Sequence, residues 1–451
     1  MRRSLPEQPV LVPAFHPHAR SRELRAMSQI LDQHPEAAEW VLRDLVGRQT
    51  SSRLGREGMS GEQVLRAMLV KQLGQFTYEE VAFHLVDSMS YRAFCRIGLG
   101  QTTPTAKTLQ RNIKMVEAQT LEKINRLLVE DAAMAGIEDG SKIRVDCTVT
   151  ETNIHEPSDS SLLWDSVRVL VRLMYRAQDY VNAPFTDQQR RAKRRMIGIQ
   201  YARSREERLP LYQDLIKVTD KTVSAAQRVV ATFASTYPPE ALENPVIYDL
   251  LEQLRHYLEL AGRVLDQSRR RVLLGETVPA TEKLVSIFET HTDIIVKDRR
   301  ETLYGHKLCL ATGASGLVTD CRIEKGNPAD ATLATAMIER QRALYGRSPA
   351  QVSFDGGFAS RANLDDIKKL GVRDVVFSKS KGITADEMAG GETEVRKLRH
   401  FRAGIEATIS WLKRCFGWGR CLWRSLRSFR AYVWASVVAA NLQRLARTEI
   451  G

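Results

Sequence analysis

The sequence lacks any apolar run long enough to cross a membrane: its most apolar stretch, Ala431 to Ala440, is short and is followed by Arg444 and Arg447, well below the roughly 18 residues a span needs. That stretch is expected to form a buried helix, and no membrane partner is expected. Cysteine is sparse. The six residues at 95, 147, 309, 321, 415 and 421 form no C-x-x-C pair, and 415 and 421 have no histidine or cysteine at zinc-finger spacing. This usage suits a reducing compartment and argues against zinc. The opening MRRSLPEQPVLVPAF is broken by Pro6, Pro9 and Pro13 before an apolar leader core accumulates, so secretion is not expected. Acidic residues are in deficit, 54 against 67 lysines and arginines, leaving a net charge of +13. Such an excess favours a polyanionic partner. With 451 residues, 43% of them hydrophobic, the chain is expected to fold into two or three domains.

Residues 24–130 carry helical periodicity. Ser60 with Gln63, and Thr77 with Glu80, fit the capping-box spacing. Thr103 followed by Pro104 predicts another helix start, opening a segment with Lys107, Arg111 and Lys114 on one side. The run from Thr77 to Lys114 is read as a helix-turn-helix unit, with a small bundle bearing a solvated basic face as the rival reading. From Lys142 the pattern changes: Ile143, Val145, Cys147 and Val149 alternate with polar residues, which predicts a half-buried strand carrying Asp146. A helical region rich in arginine follows at roughly 160–275, including Arg190, Arg191, Lys193, Arg194, Arg195, Arg203 and Arg205, with a break at Tyr237, Pro238 and Pro239. Residues 302–325 read as a hairpin around a Gly-Ala-Ser-Gly turn. A helix near 329–344, a short strand ending at Asp355, a helix at 362–370, the strand DVVFSK, a loop with Gly382, Gly390 and Gly391, and a long helix from about 394 complete the order. This is an α/β architecture: a mixed sheet flanked by helices, with an N-terminal helical domain and a large all-helical insertion.

Asp146 and Asp355 both lie on or at the end of strands, where side chains of an open α/β sheet face the ligand crevice. Gly356 and Gly357 remove side chains that would crowd an approaching backbone or ion. Taken alone, either aspartate reads first as a turn or capping residue. Glu406 alters that balance, because it is the only acid among ten basic residues from Arg396 to Arg430. At about 100° per residue, Arg402, Glu406 and Lys413 share one helix face. A plain i, i+4 ion pair of Arg402 with Glu406 is the simpler alternative, but it leaves the isolation of the acid unexplained. Three carboxylates suit Mg²⁺, a hard cation with oxygen ligands, for which Mn²⁺ can substitute. Two such ions can serve an in-line phosphoryl displacement.

The stretch RHFRAGIEATISWLK resembles the signature of bacterial insertion-sequence transposases with a DDE triad: tyrosine, two residues, arginine, three residues, glutamate, six residues, lysine. Arg402, Glu406 and Lys413 fit this spacing, while Arg399 stands at the tyrosine position. RVDCTVTETNIH resembles the family's first-aspartate strand, and SFDGGF its second-aspartate segment with Phe358 after the acid. The hairpin YGHKLCLATGASGLVTDCRIEKGNPAD, with Gly326, Asn327 and Asp330 in its tail, is similar too. The resemblance covers roughly 60–445. It implies an RNase H-like core, Asp146, Asp355 and Glu406 as catalytic and metal-binding residues, and Mg²⁺-dependent cleavage and strand transfer at terminal inverted repeats. It also implies double-stranded DNA as partner, at transposon ends and target, a homodimer on DNA, and a cytoplasmic, nucleoid-associated location. Arg402, Lys413, Lys379, Lys107 and Arg111 are the expected DNA-binding residues, with Lys381 assisting. The long insert lies between the first and second strands, whereas familiar members carry theirs just before the glutamate helix.

The expected domains are 1–135, helical and DNA-binding; 136–157, the first part of the core; 158–280, the insertion; and 281–451, the rest of the core with the C-terminal helices. His155 and His306 read as structural. Trp411, Trp418 and Trp423 read as packing the last helix, with base stacking as the rival. Two other functions share these features: an inactive DNA-binding derivative of a transposase, and a nuclease that cuts without joining.

Overall fold

The structure, a computed structural model, describes residues 18–47, 58–98, 100–237, 244–297 and 301–450. They form two compact units. One comprises the chain up to Asn153 together with Ile295 onward, and the other runs from Ile154 to Ile294.

The first unit opens with seven helices: α1 (Ala19–Asp32), α2 (Pro35–Val46), α3 (Gly61–Gly74), α4 (Tyr78–Asp87), α5 (Met89–Phe94), α6 (Ala106–Ile113) and α7 (Ala118–Met134). Both capping boxes form as the spacing predicts: Ser60 with Gln63 starts α3, and Thr77 with Glu80 starts α4. The expected start at Thr103 and Pro104 is displaced. Thr105 caps α6, its hydroxyl accepting from the Thr108 amide at 3.3 Å, so Pro104 lies outside the helix. An additional short helix, α5, stands between the two halves of the proposed helix-turn-helix.

The strands are β1 (Lys142–Thr152), β2 (Asp293–Lys297), β3 (Glu301–Thr312), β4 (Val318–Ile323), β5 (Gln351–Phe354), β6 (Asp374–Phe377) and β7 (Arg420–Cys421). They build one seven-stranded mixed sheet on the path β2-β3-β1-β5-β6, with β4 also on β3 and β7 on β1. The hairpin β3–β4 and the pair β1–β3 are antiparallel; β1–β5 and β5–β6 are parallel. This order, antiparallel on one side of β1 and parallel on the other, is RNase H-like. The interleaved helices are α12 (Ala334–Tyr345), α13 (Arg361–Lys369), α14 (Ala385–Ala389), α15 (Glu392–Cys415) and α16 (Leu426–Ile450).

Two apolar cores cover the sheet. Ile143, Val145, Cys309 and Ala311 pack with Met337, Ile338 and Ile367 on one face. On the other, Leu308 and Leu310 join a core shared by the N-terminal helices and α16. β1 is therefore not the half-buried strand that its alternation predicts. Its polar positions Arg144, Thr148 and Thr150 are buried as well, because helices cover both faces of a central strand. Trp418 and Trp423 are buried, and Trp411 lies under the Arg444 guanidinium, 4.9 Å from the ring centre. His306 is buried edge-on to Phe429. The tryptophans and His306 thus pack the molecule together.

The second unit is helical: α8 (Asp159–Ala177), α9 (Gln189–Tyr201), α10 (Arg205–Thr236) and α11 (Pro245–Ser268), the last running into a π-turn at Arg269–Leu273. α10 ends at Thr236, and Asn244 caps α11; Pro238 and Pro239 of the expected break lie outside the described residues. Its own core includes Leu170, Leu215, Phe233, Leu254 and Val264.

Candidate active site

Strand register alone brings the two aspartates together. Val145 on β1 pairs with Phe354 on β5, and Phe354 pairs with Phe377 on β6. The next residue along each strand is Asp146, Asp355 and Ser378. These three form a row across the parallel half of the sheet, where β5 and β6 end while β1 runs on to Thr152. The Ser378 hydroxyl donates to Asp355 Oδ1 at 3.0 Å. Asp355 also caps the turn at Gly356–Phe358, so the bland capping role exists beside any other. Below the turn, Phe358 is buried with its ring 5.2 Å from Phe354, which anchors the loop in the core.

Helix α15 is tied across this row at three points. Ser353 Oγ donates to the Leu398 carbonyl at 2.9 Å, Arg399 Nε to the Phe377 carbonyl at 3.2 Å, and Arg144 Nη1 to the Phe401 carbonyl at 2.9 Å. Arg144 can pass beneath the helix because residue 404 is glycine; a β-carbon there would sit 2.0 Å from Nη1. Arg399, at the signature's tyrosine position, thus joins α15 to β6.

So placed, α15 delivers Arg402 to the centre of the row. Its Nη1 stands 3.3 Å from Asp146 Oδ2 and 3.2 Å from Asp355 Oδ1, while Nη2 is bonded to Glu406 Oε1. The i, i+4 pair exists, but the same guanidinium gathers carboxylates from three separate segments. Among the described residues, no three His, Cys, Asp or Glu side chains stand arranged to hold a metal ion; the acids are turned instead to this cation. Asp146 and Asp355 border one positively charged nitrogen, a stand-in that shows their oxygens reaching a common cation position. Glu406 is the exposed member, and Arg402 itself is largely buried.

The charges are unequal. Burial, with Asp355 and Asp330 nearby, pushes the Asp146 carboxyl up to about 6, against the opposing pull of the Cys147 amide and Arg402. For Asp355, burial is outweighed by the Gly356 amide, Ser378 and Arg402, and its carboxyl is held below the usual range.

Three residues that sequence reasoning did not assign to the site stand beside it. Ser378 is one; register with Phe354 was its only signal. Asp330 is the second: a β-carbon at residue 357 would lie 2.6 Å from its Oδ2, so Gly357 makes room for another carboxylate rather than for a substrate. Lys307, the third, pairs with Asp330 at 2.5 Å and donates to the Pro328 carbonyl at 2.7 Å. Gly356 likewise lies against Lys379, whose stem would be 3.0 Å from a β-carbon there, while the residue itself is exposed. Lys381 donates to the Ala359 carbonyl at 3.3 Å, and Lys413 is half-buried on α15. Lys107 at the start of α6, Arg111 in its last turn and Lys114 just after it are exposed. In the other unit, His155 is exposed and 3.7 Å from Asp165.

A family model described as Transposase DDE domain matches residues 283–442, and one described as Transposase domain (DUF772) matches residues 14–115. Asp146 and most of the second unit fall between the two. Searches of curated proteins and of solved structures gave no match. With one transposase model matching the N-terminal helices and another spanning β2 to β7 of a sheet that aligns Asp355 with Asp146 on β1 beneath the Glu406 helix, the chain belongs to the insertion-sequence DDE transposases.

Proposed function

We propose that this transposase binds the terminal inverted repeats of its insertion sequence and catalyses Mg²⁺-dependent cleavage and strand transfer at Asp146, Asp355 and Glu406. The observation that carries the proposal is the convergence of these three carboxylates on the Arg402 guanidinium. Acids from the middle of one strand, the end of another and a helix, one of them raised by burial with the other acids nearby, suit a site whose working counterion is a metal. Asp146 and Asp355 would hold it, with Glu406, the exposed acid now paired with Arg402, completing the set. Mg²⁺, or Mn²⁺ in its place, supplies when bound the charge that activates an attacking oxygen and stabilises a leaving one.

The protein's own groups do the rest. Ser378 and the turn amides keep Asp355 ionised and aimed. Arg402 passes from the carboxylates to the scissile phosphate, and Lys413 and Lys379 hold flanking phosphates. Hydrolysis forms one P–O bond to water and breaks another, leaving a 3′-hydroxyl at the element's end. That hydroxyl attacks a target phosphodiester, whose own P–O3′ bond breaks. Lys107 and Arg111, exposed on α6, would contact the DNA ends. A homodimer at the nucleoid would cut the two ends in concert.

The test is nicking of duplex carrying the element's own termini, with Mg²⁺, by wild type, Asp146→Ala, Asp355→Ala and Glu406→Ala. Nicking at the boundary by wild type, lost at least a hundredfold (~10²) in each variant with binding retained, is expected. Equal cutting by the variants would refute the assignment. Binding without cutting by every form would favour an inactive DNA-binding derivative, and cutting without joining a nuclease.

A further inference from the structure

The second unit is nearly balanced in charge, with twenty basic and nineteen acidic residues between 154 and 294. That balance is not spread evenly. α9, QRRAKRRMIGIQY, holds five basic residues and no acid. At about 100° per residue they divide into two sets. Arg191 and Arg195 turn toward α10 and share Asp214, each at 2.5 Å. Arg190, Lys193 and Arg194 point the other way, are exposed, and have no ion pair among the described residues. Ile197 and Tyr201 continue the same stripe, with Tyr201 81% exposed. The opposite side of the helix, Ala192 and Ile199, is buried in the unit's core.

This arrangement selects the partner. A helix that lies on a lipid surface needs a free apolar face, and the apolar face of α9 is already occupied. A polar face with three unpaired cations and no acid has its complement in a regular row of anions. From Arg190 to Arg194 the helix axis advances about 6 Å, while a DNA strand presents a phosphate about every 3.4 Å along its axis. Three cations therefore match two or three successive phosphates, and the tyrosine adds a neutral donor of the kind that bonds to the backbone.

We propose that the outward face of α9 is a second duplex-DNA contact surface of this transposase, in which Arg190, Lys193 and Arg194 bond to backbone phosphates with Tyr201 beside them. The proposal rests on the reading of the chain as a DNA-processing enzyme and gives its helical insertion a role in holding DNA without reading sequence.

The experiment measures duplex binding by the full chain across a salt series. It compares wild type with the triple variant Arg190→Gln, Lys193→Gln, Arg194→Gln and with a control of equal charge change, Arg172→Gln, Arg255→Gln, Arg263→Gln. Circular dichroism checks that each is folded. The α9 variant is expected to lower the slope of log K against log salt by about 2–3, equally on the element's termini and on unrelated duplex, while the control changes it by less than half as much. An unchanged slope overturns the proposal, as does an equal loss in the control. Loss of binding to anionic phospholipid vesicles with duplex binding intact also overturns it. If wild type nicks element ends while the α9 variant keeps its slope, the contact surface fails and the enzymatic reading stands; if wild type binds no duplex at all, both fail.

Discussion

Asp146 bears the costliest charge in the site. Its side chain is 16% exposed, and burial is the main reason that its carboxyl rises to about 6 from an ordinary 3.8. The sign of the consequence follows from linkage. Well below pH 4 the group is neutral whether the chain is folded or not, and it costs nothing. As pH rises from about 4 to 6 the unfolded chain releases the proton first, so stability falls, and above 6 the full penalty is present. In metal-free buffer, Asp146→Asn should therefore match wild type near pH 3 and exceed it by on the order of 3 kcal/mol near pH 7. Chemical denaturation at both pH values measures this; a gap that does not widen with pH would show that the penalty lies elsewhere. The opposing behaviour of Asp355, held ionised by amides, Ser378 and Arg402, comes from groups that no spacing in the sequence associates with it. Ser378 reaches Asp355 only because two parallel strands share a register.

At the scale of elements, α15 is the part whose placement matters most, and its seat on the sheet depends on Arg144. That side chain donates to Thr312 Oγ1 and to the Phe401 carbonyl, both at 2.9 Å, and its guanidinium lies 4.6 Å from the Phe401 ring centre. Gly404→Ala would press a methyl group against the guanidinium, which is buried and bonded on both sides and cannot step aside freely. A loss of about 1–3 kcal/mol is expected, together with slower nicking as α15 lifts and Glu406 separates from the aspartates. Unchanged stability and rate would mean that Arg144 is not the helix's seat. Much of the element order was legible beforehand. The capping boxes at Ser60 and Thr77, the 302–325 hairpin, and the isolated Glu406 on a basic helix all act over a few residues, where sequence and structure share one scale. The start of α6 was misplaced because Thr103 and Thr105 offer the same hydroxyl, and the choice between them was made by the Thr108 amide. The strand β7, only two residues long, carries no periodicity to read and exists because β1 offers it an edge.

The first unit as a whole is held together by contacts between the ends of the chain. Asn441 on α16 is buried; its amide nitrogen donates to Asn125 Oδ1 of α7 and to the Val318 carbonyl, both at 2.8 Å, and its oxygen accepts from the Val318 amide at 2.9 Å. One side chain thus closes the free edge of β4 and bonds it to an N-terminal helix. Asn441→Leu, similar in branching, would leave the Val318 amide and Asn125 Oδ1 buried without these partners, while Asn125 Nδ2 still donates to the Val318 carbonyl at 3.2 Å, and should cost about 3 kcal/mol in a denaturant titration. A change below about 0.5 kcal/mol would mean that the edge is satisfied otherwise.

The sequence by itself determined the local features: the capped helices, the strand and hairpin patterns, the basic stripe of α9, the three acids, and the signature that links Arg402, Glu406 and Lys413. These depend on spacing and side-chain type, which are properties of short segments. Tertiary structure decided which of them meet. It placed Asp146 and Asp355 side by side through a parallel register, brought Ser378 into the same row, seated Glu406 over both by means of Arg144, and joined α16 to the N-terminal helices in a common core. Those outcomes are set by hydrogen-bond register and by which apolar faces find each other across hundreds of residues, and no local spacing encodes either.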